Sequence, residues 1–362
     1  MSYRSRRWSR KFAAVALAAA FCVAACNPNR NYFGAGASTG PVSLRGAGSS
    51  FVAPLMQKWT AEFNRQTTAG RVDYQSTGSG AGIQGAQERT LDFGATDAPL
   101  TDQAFAKTPD MLHIPVVAGA VVVSYNLPQV TEPLRFSPDV LAGIFLGEIT
   151  RWDDARIKAD NPQAALPAEE IGVVHRSDGS GTTDIFTDYL SKVSPEWKAR
   201  VGRGTSVKWL AGTGGKGNEG VTGALKQTPA TIGYVEAIYA KQNKLPISYI
   251  RNRAGNFVLP TDDNVRAAAE TQSETAPEDL RLSITDAEGA NAYPISGFTY
   301  VLAFREQPDA RQGKLLADFL YWALHNGSVY ARELQYVPLP RPLVARAEAE
   351  IKSMTSGGVP LR

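Results

Sequence analysis

Three short stretches place hydroxyls and glycines where a strand gives way to a helix: "RGAGSSF" at 45–51, "STGSGAG" at 76–82 and "RSDGSGTT" at 176–183. A helix start exposes unpaired N–H groups and the positive end of the helix dipole. Glycines admit close approach and hydroxyls donate, so such a junction binds anions. One junction alone is equally an N-cap. Three of them, one carrying the guanidinium of Arg176, point to a shared anion. A fourth segment, "DFGATDAPL" at 92–100, adds the carboxylate of Asp97. That group repels a fully ionised anion but accepts a hydrogen bond from an oxyanion that retains a proton, as phosphate does near neutral pH and sulfate does not.

Enzyme chemistry finds less support. "GAGIQG" at 80–85 fits a dinucleotide pattern, yet no clear ribose-binding acid follows it at the usual distance. In "GTGGKGNEG" Lys216 precedes Gly217 rather than Ser or Thr and the first glycine is wrongly spaced, so the pattern of a nucleotide-binding phosphate loop is not met. No G-x-S-x-G elbow occurs, and His113, His175 and His325 lack metal-ligand spacing. No cofactor is expected.

The elements that would hold these loops alternate. The runs "VSL", "RVDY", "IPVVAGAVVVSYN", "IGVVH", "TIGYV", "SYI" and "FTYVLAF" read as strands, most followed by amphipathic helical patterns. This predicts an α/β protein with largely parallel sheets, whose loops gather at the carboxyl ends of the strands. Phe51, Leu55, Trp59 and Phe63 mark one helix face, and Leu315 to Trp322 another.

The first 25 residues have a basic start, an apolar middle and a small-residue end, the pattern of an export signal. "VAAC" at 23–26 resembles a lipobox, which makes Cys26 the lipidated first residue of the mature chain; plain cleavage with a free Cys26 thiol is the alternative. "SRRWSRK" has a twin-arginine look without the usual apolar residues after the pair. Residues 26–41, rich in Asn, Gly and Ser, read as a tether. Both cysteines lie in this region, so an acylated mature body has no disulfide and depends on its core. Of 38 basic residues, five precede Cys26, which leaves 33 against 35 acidic ones, and nucleic acid is excluded as a natural partner.

Taken in order, "GAGSSF", "GSGAG", "DFGATDAPL", "IFLGEITRWDD", "RSDGSGTTDIFTDYL", "GGKGNEGV" and "IGYVE" resemble the phosphate-binding proteins of the bacterial high-affinity ABC phosphate importer, from about Leu44 to the C-terminus. The resemblance implies a two-lobed periplasmic-binding-protein fold, with two doubly wound lobes joined by two crossovers and the ligand in the cleft. Lobe I would comprise 42–122 and 298–362, and lobe II 123–297. It further implies that Ser50, Phe51, Ser79, Asp97, Arg176, Ser180, Gly181 and Thr182 bind phosphate, with Asp178 orienting Arg176. An ABC permease would be the protein partner, the chain a monomer, and the membrane met through the lipid alone. Two departures stand out: Ser50 where the family often has Thr, and Gly80 where a second Ser is common. A phosphate-ester hydrolase, or a sulfate or molybdate binder on the same fold, remains the alternative.

Overall fold

The computed structural model describes residues 41–362; the signal, Cys22, Cys26 and all of the tether but Pro41 lie outside them. β1 (Val42–Gly48), β2 (Gly70–Ser76) and β3 (Phe93–Thr96) form a parallel trio in which β1 is central. Burial alternates along the first part of β1 and becomes complete at Gly46–Gly48, where the strand enters the interior. Between β1 and β2 runs the helix Ala53–Gln66, with Pro54 in its first turn and Leu55, Met56, Trp59 and Phe63 turned to the core. Phe51, on the same apolar face in the sequence pattern, lies two residues before that helix and is fully buried.

β4 (Met111–Asn126) is a 16-residue strand buried along nearly its whole length. After β5 (Arg135–Phe136) come β6 (Gly172–Arg176), β7 (Thr213–Gly215), β8 (Thr231–Glu236), β9 (Tyr249–Arg251), β10 (Phe257–Val258) and β11 (Ser296–Phe304). β12 (Thr355–Ser356) and β13 (Val359–Pro360) close the chain as a small hairpin. The principal sheet runs β2-β1-β3-β11-β4-β8-β6-β7. A second parallel trio, β8-β6-β7, therefore mirrors the first.

The centre departs from the largely parallel sheet that strand–helix alternation predicts, because β11 is antiparallel to β3 and β4, and β4 is antiparallel to β8. β4 serves both halves of the sheet: it pairs with β11 through Ala120 and with β8 from Val121 onward. Pro115, in mid-strand, lies at a bulge where the β11 register jumps between Thr299 and Tyr300. A residue without an N–H is tolerated where the ladder is already interrupted.

One apolar cluster spans both halves, and residues 41–362 hold together as a single unit. Among the described residues no helix is long and apolar enough to cross a membrane.

Candidate functional site

The carboxyl ends of β1, β2, β3 and β6 point the predicted loops at one another. At the centre is Asp97, 3% exposed. Its Oδ2 accepts from Ser49 Oγ at 2.6 Å and Ser79 Oγ at 3.3 Å, and its Oδ1 from Thr299 Oγ1 at 2.7 Å. Burial raises its pKa to about 6; the hydroxyls of Ser49 and Thr299, the field of Arg176 and the Ser79 hydroxyl offset part of that rise. Near neutral pH the carboxylate is thus mainly ionised, although almost wholly dehydrated.

The Arg176 side chain, 1% exposed, forks onto Asp178: Nε to Oδ1 at 2.8 Å and Nη2 to Oδ2 at 2.5 Å. Gly217 N–H adds a third bond to Asp178 Oδ1 at 2.9 Å. Burial pushes the Asp178 carboxyl up, but the Arg176 contacts prevail and the net direction is down. The fork fixes the guanidinium and leaves Nη1 directed at Thr182 Oγ1, 3.3 Å away.

The hydroxyls divide into two sets. Ser49, Ser79 and Thr299 spend their protons on Asp97. Ser50 Oγ instead accepts twice from Asn218, from N at 3.1 Å and Nδ2 at 2.9 Å; Thr182 Oγ1 accepts from Arg176 and from Asn218 Nδ2 at 3.1 Å. With their lone pairs engaged, Ser50 and Thr182 are set to donate outward. Ser180 Oγ caps the helix Gly181–Val193 by accepting from Thr183 N at 3.1 Å, which also frees its proton. Gly181 and Thr182 open that helix, and Ser50 and Phe51 precede Ala53–Gln66. Among the described residues no protein acceptor takes the N–H of any of these four.

The two halves touch here. Gly80 N donates to Gly179 O at 2.9 Å, and a Cβ on Gly80 would sit 3.1 Å from Gly179 Cα. That close approach gives a physical reason for glycine at position 80. Gly181 lies against Asp97 closely enough that a Cβ would come within 2.5 Å of Oδ2 and 2.6 Å of the backbone N.

All nine residues named from the sequence are drawn together. Sequence reasoning did not single out Ser49, Thr299 or Asn218. Ser49 adjoins Ser50, and nothing in the string says which hydroxyl faces Asp97. Thr299 sits in an apolar strand 202 positions from its partner. Asn218 lies within "GGKGNEGV", where its neighbours Lys216 and Glu219 draw more notice. His175 stacks on Trp209 at 4.7 Å, with Nδ1 2.9 Å from Arg176 O, which fits a structural role.

A sheet with paired parallel trios, a shared central strand and anion-donor loops meeting between its halves defines a periplasmic-binding-protein fold. Residues 35–326 match the family model described as the PBP superfamily domain. The chain is 42% identical over 353 residues to the phosphate-binding protein PstS of Xylella fastidiosa strain Temecula1, covering 93% of this chain and 96% of that one. It is 42% identical over 312 residues to the Pasteurella multocida PstS, covering 86% and 90%. The solved phosphate-binding protein from Stenotrophomonas maltophilia superposes with a TM-score of 0.67 at 16% identity, covering 85% of this chain and 93% of that one, and supports the fold. The chain belongs to the PstS family of phosphate-binding proteins within the PBP superfamily.

Proposed function

We propose that this chain binds inorganic phosphate between the two halves of its sheet, outside the cytoplasmic membrane, and delivers it to an ABC importer permease. The observation that carries this reading is the sorting of polar groups around Asp97. Ser50, Thr182, Ser180, Arg176 and four backbone N–H groups are arranged to donate, and a single buried carboxylate is arranged to accept. Such a set complements an oxyanion that has several acceptor oxygens and one proton. The phosphate-binding role of Ser50, Phe51, Asp97, Arg176, Ser180, Gly181 and Thr182, with Asp178 as orienter, is part of the proposal; Ser79, whose hydroxyl donates to Asp97, serves in it by holding that carboxylate.

Charge-assisted hydrogen bonds of roughly 1.5–3 kcal/mol each replace the hydration of the anion. Desolvation and ordering subtract from that sum, so affinity is expected at about micromolar or tighter. The relatives are named for binding rather than catalysis.

The proposal takes 42–122 with 298–362 as one lobe and 123–297 as the other; the change of partner along β4, from β11 up to Ala120 to β8 from Val121, supports a crossover within two residues of the first bound. Equilibrium titration with labelled phosphate, using sulfate and arsenate as competitors at pH 7, tests the reading. Arsenate should compete and sulfate should be weaker by at least about a hundredfold, since its oxygens set lone pairs against Asp97. Sulfate binding within tenfold of phosphate rejects Asp97 as the reader of the proton.

The anchor belongs to the same proposal: cleavage before Cys26 and its acylation would tether the protein to the membrane. Cys26→Ser should move the protein from the detergent phase to the aqueous phase or stall its processing. A mature protein carrying an unmodified Cys26 thiol rules the anchor out.

A further inference from the structure

Three consecutive carbonyls in the loop after β1 are each held by a tyrosine hydroxyl. Tyr74 donates to Ser49 O at 2.8 Å, Tyr239 to Ser50 O at 2.7 Å and Tyr336 to Phe51 O at 2.6 Å. The tyrosines come from three distant places: Tyr74 from β2, Tyr239 from the helix Ala237–Gln242 after β8, and Tyr336 from the segment before the bridge of Val337 to Ala118 on β4. We infer that these three tyrosines are positioning residues for anion binding, setting the peptide planes of Ser49–Val52 so that the N–H groups of Ser50 and Phe51 face the ligand and that of Val52 faces Ser49 Oγ. The inference rests on the phosphate reading above.

The physical link is the planar trans peptide, in which C=O and N–H point in opposite directions. A hydroxyl on Ser49 O fixes the N–H of Ser50, one on Ser50 O fixes that of Phe51, and one on Phe51 O fixes that of Val52. The first two N–H groups have no protein acceptor among the described residues. The third points to Ser49 Oγ at 3.4 Å, whose own proton goes to Asp97 Oδ2 at 2.6 Å. Tyr336 thus helps commit the Ser49 proton to the carboxylate, while Tyr74 and Tyr239 aim donors at the anion. Donation to a carbonyl also polarises its peptide and strengthens the N–H on the far side.

Tyr239 differs from the other two because it reaches Ser50 from the second half of the sheet, so its bond exists only when the halves are together. Its hydroxyl has one proton and two acceptors: Ser50 O at 2.7 Å and Glu219 Oε1 at 3.0 Å. Ser76 Oγ also donates to that Glu219 oxygen, at 3.2 Å. Glu219 therefore competes for the proton that orients Phe51 N–H. In Glu219→Gln an amide N–H can donate to Tyr239 Oη and return the proton to the carbonyl.

The experiment is phosphate titration with stopped-flow dissociation on full-length wild type, Tyr74→Phe, Tyr239→Phe, Tyr336→Phe, Glu219→Gln and the Glu219→Gln/Tyr239→Phe pair. Phosphate-free melting is followed in parallel. Each Phe variant should bind phosphate about three- to tenfold more weakly, the range expected for one lost hydrogen bond. For Tyr239→Phe the loss should lie in faster dissociation. Glu219→Gln should tighten binding in wild type by at least about threefold more than in the Tyr239→Phe background, which separates proton competition from simple removal of a charge. Glu219 is exposed, so its replacement leaves the fold intact. Wild type that ignores phosphate overturns the phosphate reading itself. Wild-type binding with Phe variants inside twofold, or an equal Glu219→Gln effect in both backgrounds, overturns the tyrosine assignment alone.

Discussion

The buried carboxyl of Asp97 carries a cost in stability that its proposed role in recognition would explain. Its carboxyl has a pKa of about 6 in the folded protein against an ordinary value of 3.8, raised chiefly by burial. Below 3.8 the group is protonated in both folded and unfolded chains, and above about 6 it is ionised in both. Between them the folded state holds the extra proton, so stability falls as pH rises through that window. The difference corresponds to about 3 kcal/mol of destabilisation at pH 7. Asp97→Asn removes the buried charge, while its amide can still pair with the hydroxyls of Ser49, Ser79 and Thr299, which rotate to suit. Phosphate-free Asp97→Asn should therefore melt a few degrees above wild type at pH 7, and the gap should close toward pH 4. The same variant should discriminate less against sulfate, because its amide can offer a donor where wild type offers only acceptors. A variant that melts below wild type at pH 7 means that the ionised carboxylate stabilises the fold rather than taxing it.

At the scale of elements, the decisive contact is the start of the helix Gly181–Val193 against the end of β3. A methyl at position 181 would meet Asp97 Oδ2 at 2.5 Å and, more rigidly, the Asp97 backbone N at 2.6 Å. A side chain can turn away, but a strand backbone cannot. Gly181→Ala, although favourable for helix propensity, should separate the two elements and weaken phosphate binding by at least about tenfold with the far-UV circular dichroism unchanged. Unaltered affinity would show that the contact is not needed for binding. Residues 176–183 announced this element from the sequence, because hydroxyls and glycines after an apolar run have a local meaning. The runs that form β1, β2, β6 and β8 were equally plain, and their parallel pairing agrees with strand–helix alternation. The antiparallel pairing of β4 with β11 and β8 was not, since nothing in a largely apolar 16-residue run, buried almost throughout, tells which neighbours it will have. β5, β7, β10, β12 and β13 are two or three residues long and too short to display a period. Thr299 and the three positioning tyrosines escaped for a related reason: their roles depend on partners 25 to 285 positions away, and their neighbours read as ordinary core.

The behaviour of the whole molecule follows from what buries Asp97. Ser49, Ser79 and Thr299 belong to the first half of the sheet, but Gly181, which lies directly on the carboxylate, belongs to the second. Bonds between the halves meet around it: Gly80 N to Gly179 O at 2.9 Å, Asn218 Nδ2 to Ser50 Oγ at 2.9 Å and Ser76 Oγ to Glu219 Oε1 at 3.2 Å. Parting the halves would admit water to Asp97 and return its pKa from about 6 toward 3.8. Protons then bind the closed form better than the open one, so acid favours closure without any ligand. At pH 7 the ionised carboxylate opposes closure until an anion and its proton supply the missing partner. Small-angle scattering on phosphate-free protein should accordingly show a smaller radius of gyration at pH 5 than at pH 7, and phosphate at pH 7 should reproduce the compact value. In Asp97→Asn the pH dependence should vanish, because the side chain has no charge to lose. A wild-type profile independent of both pH and phosphate would mean that the halves do not move apart. A pH-driven compaction that persists in Asp97→Asn would place the responsible group elsewhere, with Glu236 next in line: burial pushes that carboxyl up as well, and it lies beside Tyr336 where β8 pairs with Val121 of β4.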